Sequence, residues 1–101
     1  VKSEAALERY LKREAEAHDI FIRKVQAVGY PGFPDRLLAC DGRVMFIELK
    51  SPTGRGVLSP KQIYTIEKMA GHGLDVRVIA SKEGVDDAIR ELLDPRTERG
   101  D

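Results

Sequence analysis

Residues 32–50 read GFPDRLLACDGRVMFIELK. Two mainly apolar runs, Arg36–Cys40 and Val44–Leu49, flank Asp41-Gly42. That dipeptide favours a two-residue hairpin turn, because both turn positions must take positive φ. Counting outward from such a turn, Cys40 faces Arg43, Ala39 faces Val44, Leu37 faces Phe46 and Asp35 faces Glu48. Directly opposed residues share a sheet face, with Cβ atoms about 4.5–5.5 Å apart. Lys50, two residues beyond Glu48, points the same way.

Two carboxylates so placed repel, and an apolar sheet sharpens the repulsion by desolvating both. A shared proton, a salt bridge to Lys50 or Arg36, or a divalent cation would each offset it. Magnesium suits the third case: it takes hard oxygen ligands, often only one or two protein carboxylates, and keeps water and substrate phosphate as the others. Asp35 and Glu48 supply such a pair, and the backbone carbonyl of Leu49 is a further candidate oxygen.

The flanks extend this hairpin into an α/β domain. Ser3 is placed to cap a first helix reaching about His18, with Leu7, Tyr10, Leu11 and Ala15 as its buried stripe. Ile20–Val28 reads as a strand, and Tyr30–Pro34 as a bent connector. Residues 51–58 carry Pro52, Gly54 and Gly56 and read as a loop. Ser59-Pro60-Lys61-Gln62 then has the form of a helix start, with an N-cap serine, proline at the first position and glutamine closing a capping box. Ile63, Ile66, Met69 and Ala70 form the expected inner face of that helix, and Tyr64 is expected to pack rather than stack on a base. Asp75–Ala80 reads as a strand, Gly84–Leu93 as a last helix, and residues 94–101 as a polar, frayed tail. The order α-β-β-β-α-β-α includes one helical crossover, so the strands on either side of it should run parallel within a mixed sheet. Residues 1–93 read as a single domain.

With 101 residues, 42 % apolar, the chain suits one globular core. No apolar run approaches membrane-spanning length and no signal peptide is evident. The single cysteine, Cys40, allows no internal disulfide and fits a reducing compartment. His18 and His72 lack zinc-site spacing and read as helix-end residues. Net charge is zero, yet residues 20–74 carry eight Lys/Arg against four Asp/Glu, whereas residues 75–101 carry five against eight. The middle of the chain is the part that could face a polyanion, although on charge alone a mixed solvated surface is the favoured reading.

Pro34-Asp35 followed by Glu48-Leu49-Lys50 resembles the PD-(D/E)XK nuclease superfamily. Within it, GFPDR at 32–36, VMFIELK at 44–50, LSPKQ at 58–62 and the E-x-x-L of Glu8-Arg9-Tyr10-Leu11 are together similar to the virus-type replication-repair nuclease (VRR-NUC) family. Lys24 fits a lysine often found ahead of the aspartate. The resemblance implies a restriction-endonuclease-like core, a mixed β-sheet flanked by helices. It implies Mg²⁺- or Mn²⁺-dependent hydrolysis of DNA phosphodiesters that leaves a 5′ phosphate. Asp35, Glu48, the Leu49 carbonyl and Glu8 would be metal ligands, Lys50 would act on the attacking water or the phosphate, and Gln62 would sit at the site. Lys24, Arg36, Arg55 and Lys61 are candidate DNA contacts. A homodimer acting on branched or junction DNA is expected, in the cytoplasm of a bacterium or a phage-infected cell. The competing readings are a DNA-structure-binding module that kept the fold without the chemistry, and a toxin or restriction-type nuclease.

Overall fold

The computed structural model describes residues 2–54 and 56–97; Arg55, one of the candidate DNA contacts, and residues 98–101 of the expected tail lie outside them. The elements are α1 (Glu4–Ala17), β1 (Phe21–Lys24), β2 (Arg36–Cys40), β3 (Arg43–Leu49), α2 (Pro60–Gly71), β4 (Asp75–Ile79) and α3 (Lys82–Leu93), followed by a 3-10 turn at Pro95–Thr97. The strands form one sheet in the order β1-β2-β3-β4. The first three are antiparallel neighbours, and β4 lies parallel to β3 after the α2 crossover. This is the mixed-sheet α/β architecture expected from the sequence.

The hairpin has the register counted above: Cys40 opposes Arg43, Ala39 opposes Val44 and Leu37 opposes Phe46. Asp41 and Gly42 both take positive φ, 51° and 79°, as this tight turn requires. Alternation along β3 then decides the two sheet faces. Met45, Ile47 and Leu49 point into the main core with Leu7, Leu11, Leu38, Val85 and Ile89, under α1 and α3. Phe46 and Glu48 point to the opposite face, the one α2 approaches. Arg77 of β4 braces α3, donating to Asp75 at 2.7 Å and to Glu91 at 2.8 Å.

Three expectations are corrected. The first strand stops at Lys24 instead of reaching Val28. One further ladder bond forms, from Val25 N–H to the Asp35 carbonyl at 2.9 Å. The next residue on the partner strand is Pro34, which has no N–H to continue the ladder. The last helix begins at Lys82 because Ser81 caps it, its hydroxyl accepting from Gly84 N–H at 3.0 Å. On α2 only Met69 of the expected apolar face is buried, and Ile63 is 44 % exposed. This helix packs alone against its side of the sheet, whereas α1 and α3 pack against each other as well as on the strands.

Both histidines stand at helix C-caps, His18 after α1 and His72 after α2, as their helix-end reading anticipates.

Candidate active site

The site forms where β2 begins, β3 ends and α2 starts. Glu48 is the penultimate residue of β3 and one of only two buried charged residues among those described, with Arg36 the other. Its Oε2 accepts a hydrogen bond from Gln62 Nε2 at 3.0 Å and stands 3.6 Å from Lys50 Nζ. Lys50 in turn donates to Gln62 Oε1 at 3.1 Å. The same Oε1 accepts the Ser59 N–H at 2.9 Å, while Ser59 Oγ accepts the Gln62 N–H at 3.1 Å. Gln62 therefore closes the capping box of α2 and, with its amide nitrogen, ties that helix to the end of β3. The capping box read from the sequence is present, and the same side chain meets Glu48 and Lys50.

Asp35 precedes β2 by one residue, at the position opposite Glu48 in the extended register. Its Oδ2 pairs with Arg36 Nη1 at 3.2 Å. Its Oδ1 is buried with no hydrogen-bond partner among the described residues. A buried acceptor left unmet costs about 1–3 kcal/mol. Glu48 is under related stress: burial, then the charge of Asp35, pushes its carboxyl above the ordinary range, and Lys50 pulls it back only in part. The charges on this sheet face are thus only partly compensated. One acid is partly met by Lys50 and Gln62, the other keeps an unsatisfied oxygen, and the two repel. An oxygen-ligated divalent cation would relieve each of these costs, so this donor set suits one. Among the described residues no three Asp, Glu, His or Cys side chains converge into a closed cage; a two-carboxylate site with open positions is what magnesium commonly uses.

The remaining candidates are distributed around this pair. The side chain of Leu49 is in the core, leaving its main chain between Glu48 and Lys50. Arg36 is 5 % exposed and held by Glu8 at 2.5 Å as well as by Asp35. A phosphate would have to displace both carboxylates to reach it, so its place in the fold is that of a brace for Asp35 rather than a surface contact. Glu8, expected near the metal, is committed to that arginine. The acid of α1 whose charge reaches Glu48 is Glu4, one turn closer to the helix N-terminus. Glu4-Ala5-Ala6-Leu7 has the same E-x-x-L spacing as Glu8-Arg9-Tyr10-Leu11, a signal that admitted either glutamate.

Lys24 is exposed and lines a hollow of about 610 Å³ together with Asp35 and the loop 25–33. Lys61 is exposed on the first turn of α2. Gly32 fixes how these parts meet. Its φ is +96°, and a Cβ there would lie 2.8 Å from the Lys61 carbonyl carbon and 3.0 Å from Gln62 N. The GFPD loop thus rests with its backbone directly on the turn that carries Gln62.

Comparison with known proteins agrees with the fold. A family model described as "VRR-NUC domain" matches residues 2–83. A solved structure described as "VRR_NUC domain" superposes with a TM-score of 0.78 at 28 % identity, covering 89 % of this chain and 97 % of that one. No curated protein was found to match.

Proposed function

The chain belongs to the VRR-NUC domain family, and from that premise we propose that it is a metal-dependent deoxyribonuclease, hydrolysing DNA phosphodiester bonds with Mg²⁺ or Mn²⁺. The observation that carries the reading is the knot of Glu48, Gln62 and Lys50 beside the unsatisfied Oδ1 of Asp35. The family alone could be retained by a DNA-binding module, but such a module has no need of a buried Glu48 raised by the charge of Asp35, with an ammonium beside it.

Asp35 and Glu48 would hold the cation, with the Leu49 carbonyl as a further oxygen and Glu4 adding negative charge from α1. When bound, the ion supplies Lewis acidity toward a phosphate oxygen and lowers the pKa of a water. Lys50, fixed by Gln62 at 3.1 Å, places a positive charge where negative charge grows on the phosphate and can donate to the attacking oxygen. Gln62 keeps Lys50 and Glu48 at one spacing, so neither needs to reorganise as the substrate arrives. Arg36 holds Asp35 Oδ2 at the strand entrance and leaves Oδ1 without a hydrogen-bond partner among the described residues. Lys24 and Lys61, both exposed, would take phosphates on either side of the loop 25–33. A branched or junction substrate and a homodimer are part of the proposal, since one chain offers one site and cutting two strands needs two.

Incubating the purified chain with linear, flap, nicked and four-way DNA, with and without Mg²⁺ or Mn²⁺, tests it. Cleavage should require the metal and fall by at least ~10²–10³ in Glu48→Ala and Lys50→Ala, the scale of losing a preorganised electrostatic group. Cutting that survives both substitutions would overturn the assignment.

A further inference from the structure

The loop 25–33 borders a second opening. On the side away from Asp35, a cleft of about 380 Å³ lies between the loop and the first turns of α2, lined by Tyr30, Pro31, Pro60, Lys61 and Tyr64. Tyr30 is 73 % exposed and Tyr64 65 %, so neither ring is used to build the core. The expectation that Tyr64 packs is not met. Two aromatic rings and two proline rings give the cleft flat apolar walls, and Lys61 gives it one positive charge. That combination of π-faces and a cation is the chemistry that holds single-stranded nucleic acid. The hollow on the other side of the loop is lined by Gly29, Tyr30 and Pro31 as well, and it contains Asp35. Because Gly32 sits in backbone contact with Lys61 and Gln62, the cleft wall and the Glu48–Gln62–Lys50 knot are parts of one rigid junction.

We propose that this cleft binds an unpaired nucleotide of the DNA strand next to the scissile phosphate, its base against the Tyr30 and Tyr64 rings and its phosphate on Lys61. The inference rests on the nuclease reading of the adjoining site and narrows its substrate class to DNA carrying unpaired nucleotides there. A base inside a duplex has both faces covered by its neighbours and must be unstacked before a side chain can reach them. A base in a single-stranded arm has no such cost. Since every base has a π-face, the cleft selects for strand state and not for sequence.

Binding measured on the Glu48→Gln protein without divalent metal separates this inference from the cleavage reading. The probes are a fluorescently labelled blunt-ended DNA duplex of two annealed strands, and the same duplex extended by a single-stranded arm, titrated by anisotropy. Tyr30→Ala and Tyr64→Ala should each weaken binding of the armed DNA about tenfold or more, the scale of one lost base–aromatic stack. Binding of the blunt duplex should stay within about twofold. Tyr30→Phe and Tyr64→Phe should bind the armed DNA as the parent does, because the ring is kept. Both positions are exposed, so unchanged thermal melting serves as the folding control. Alanine variants that bind the armed DNA normally, or that lose affinity equally for both probes, would overturn the proposal. That failure would leave metal-dependent cutting by the wild-type chain intact, and absence of cutting would leave the binding difference intact.

Discussion

At the scale of single residues, the site is held together by an imbalance. Glu48 titrates above the ordinary carboxylate value of 4.5, first through burial and then through Asp35. An acid whose value is raised in the fold favours its protonated form there. Its stabilising contribution is fully present below the ordinary value and is lost as pH climbs through the raised one. Metal-free Glu48→Gln should therefore gain stability on the wild type at pH 7, and the gain should vanish near pH 4. Urea denaturation at the two pH values reads this directly; an equal difference at both would remove the ionised Glu48 as its cause. A cation that binds the deprotonated acids competes with the same proton, so metal affinity should rise with pH across that window.

Among the elements, the junction of the GFPD loop with α2 carries the geometry. Gly32→Ala introduces a Cβ against the Lys61 backbone at 2.8 Å and strains a φ of +96°. The first turn of α2 must move outward, carrying Gln62 away from Glu48 and Lys50. Gly73→Ala, just past α2, strains a similar φ of +84° but meets nothing within 4 Å. Both variants should lose roughly 1 kcal/mol or more in denaturant unfolding, as alanine does at positive φ. Only Gly32→Ala should lose cleavage out of proportion to its stability. Equal loss of cleavage in the two would show that the loop contact has no bearing on the site.

The whole molecule shows which parts of this were readable from the chain. Local chemistry sufficed for the Asp41-Gly42 turn and the Ser59–Gln62 capping box, each decided by a few adjacent residues, and the helical crossover between β3 and β4 sufficed for their parallel placement. The opposition of Asp35 and Glu48 followed from the turn alone. What escaped the sequence depends on partners far along the chain. Arg36 resembles any basic residue near a site until the fold buries it between Glu8 and Asp35. Glu4 and Glu8 share one spacing motif; Glu8 pairs with Arg36, while the charge of Glu4 is felt at Glu48. The length of β1 was set by Pro34 on the opposing strand, and the exposure of Ile63 and Tyr64 by the absence, among the described residues, of a second helix beside α2.

The claim beneath all of this is that Asp35 and Glu48 share one sheet face closely enough to clasp one divalent ion. Thermal unfolding at pH 7.5 with and without Mg²⁺ or Mn²⁺, on the wild type, Asp35→Asn and Glu48→Gln, tests it most directly. The wild type should be stabilised by about 2.7 kcal/mol when metal exceeds its dissociation constant a hundredfold, and neither variant should respond at that concentration. A wild type indifferent to metal, or variants stabilised as much as it is, would contradict the account.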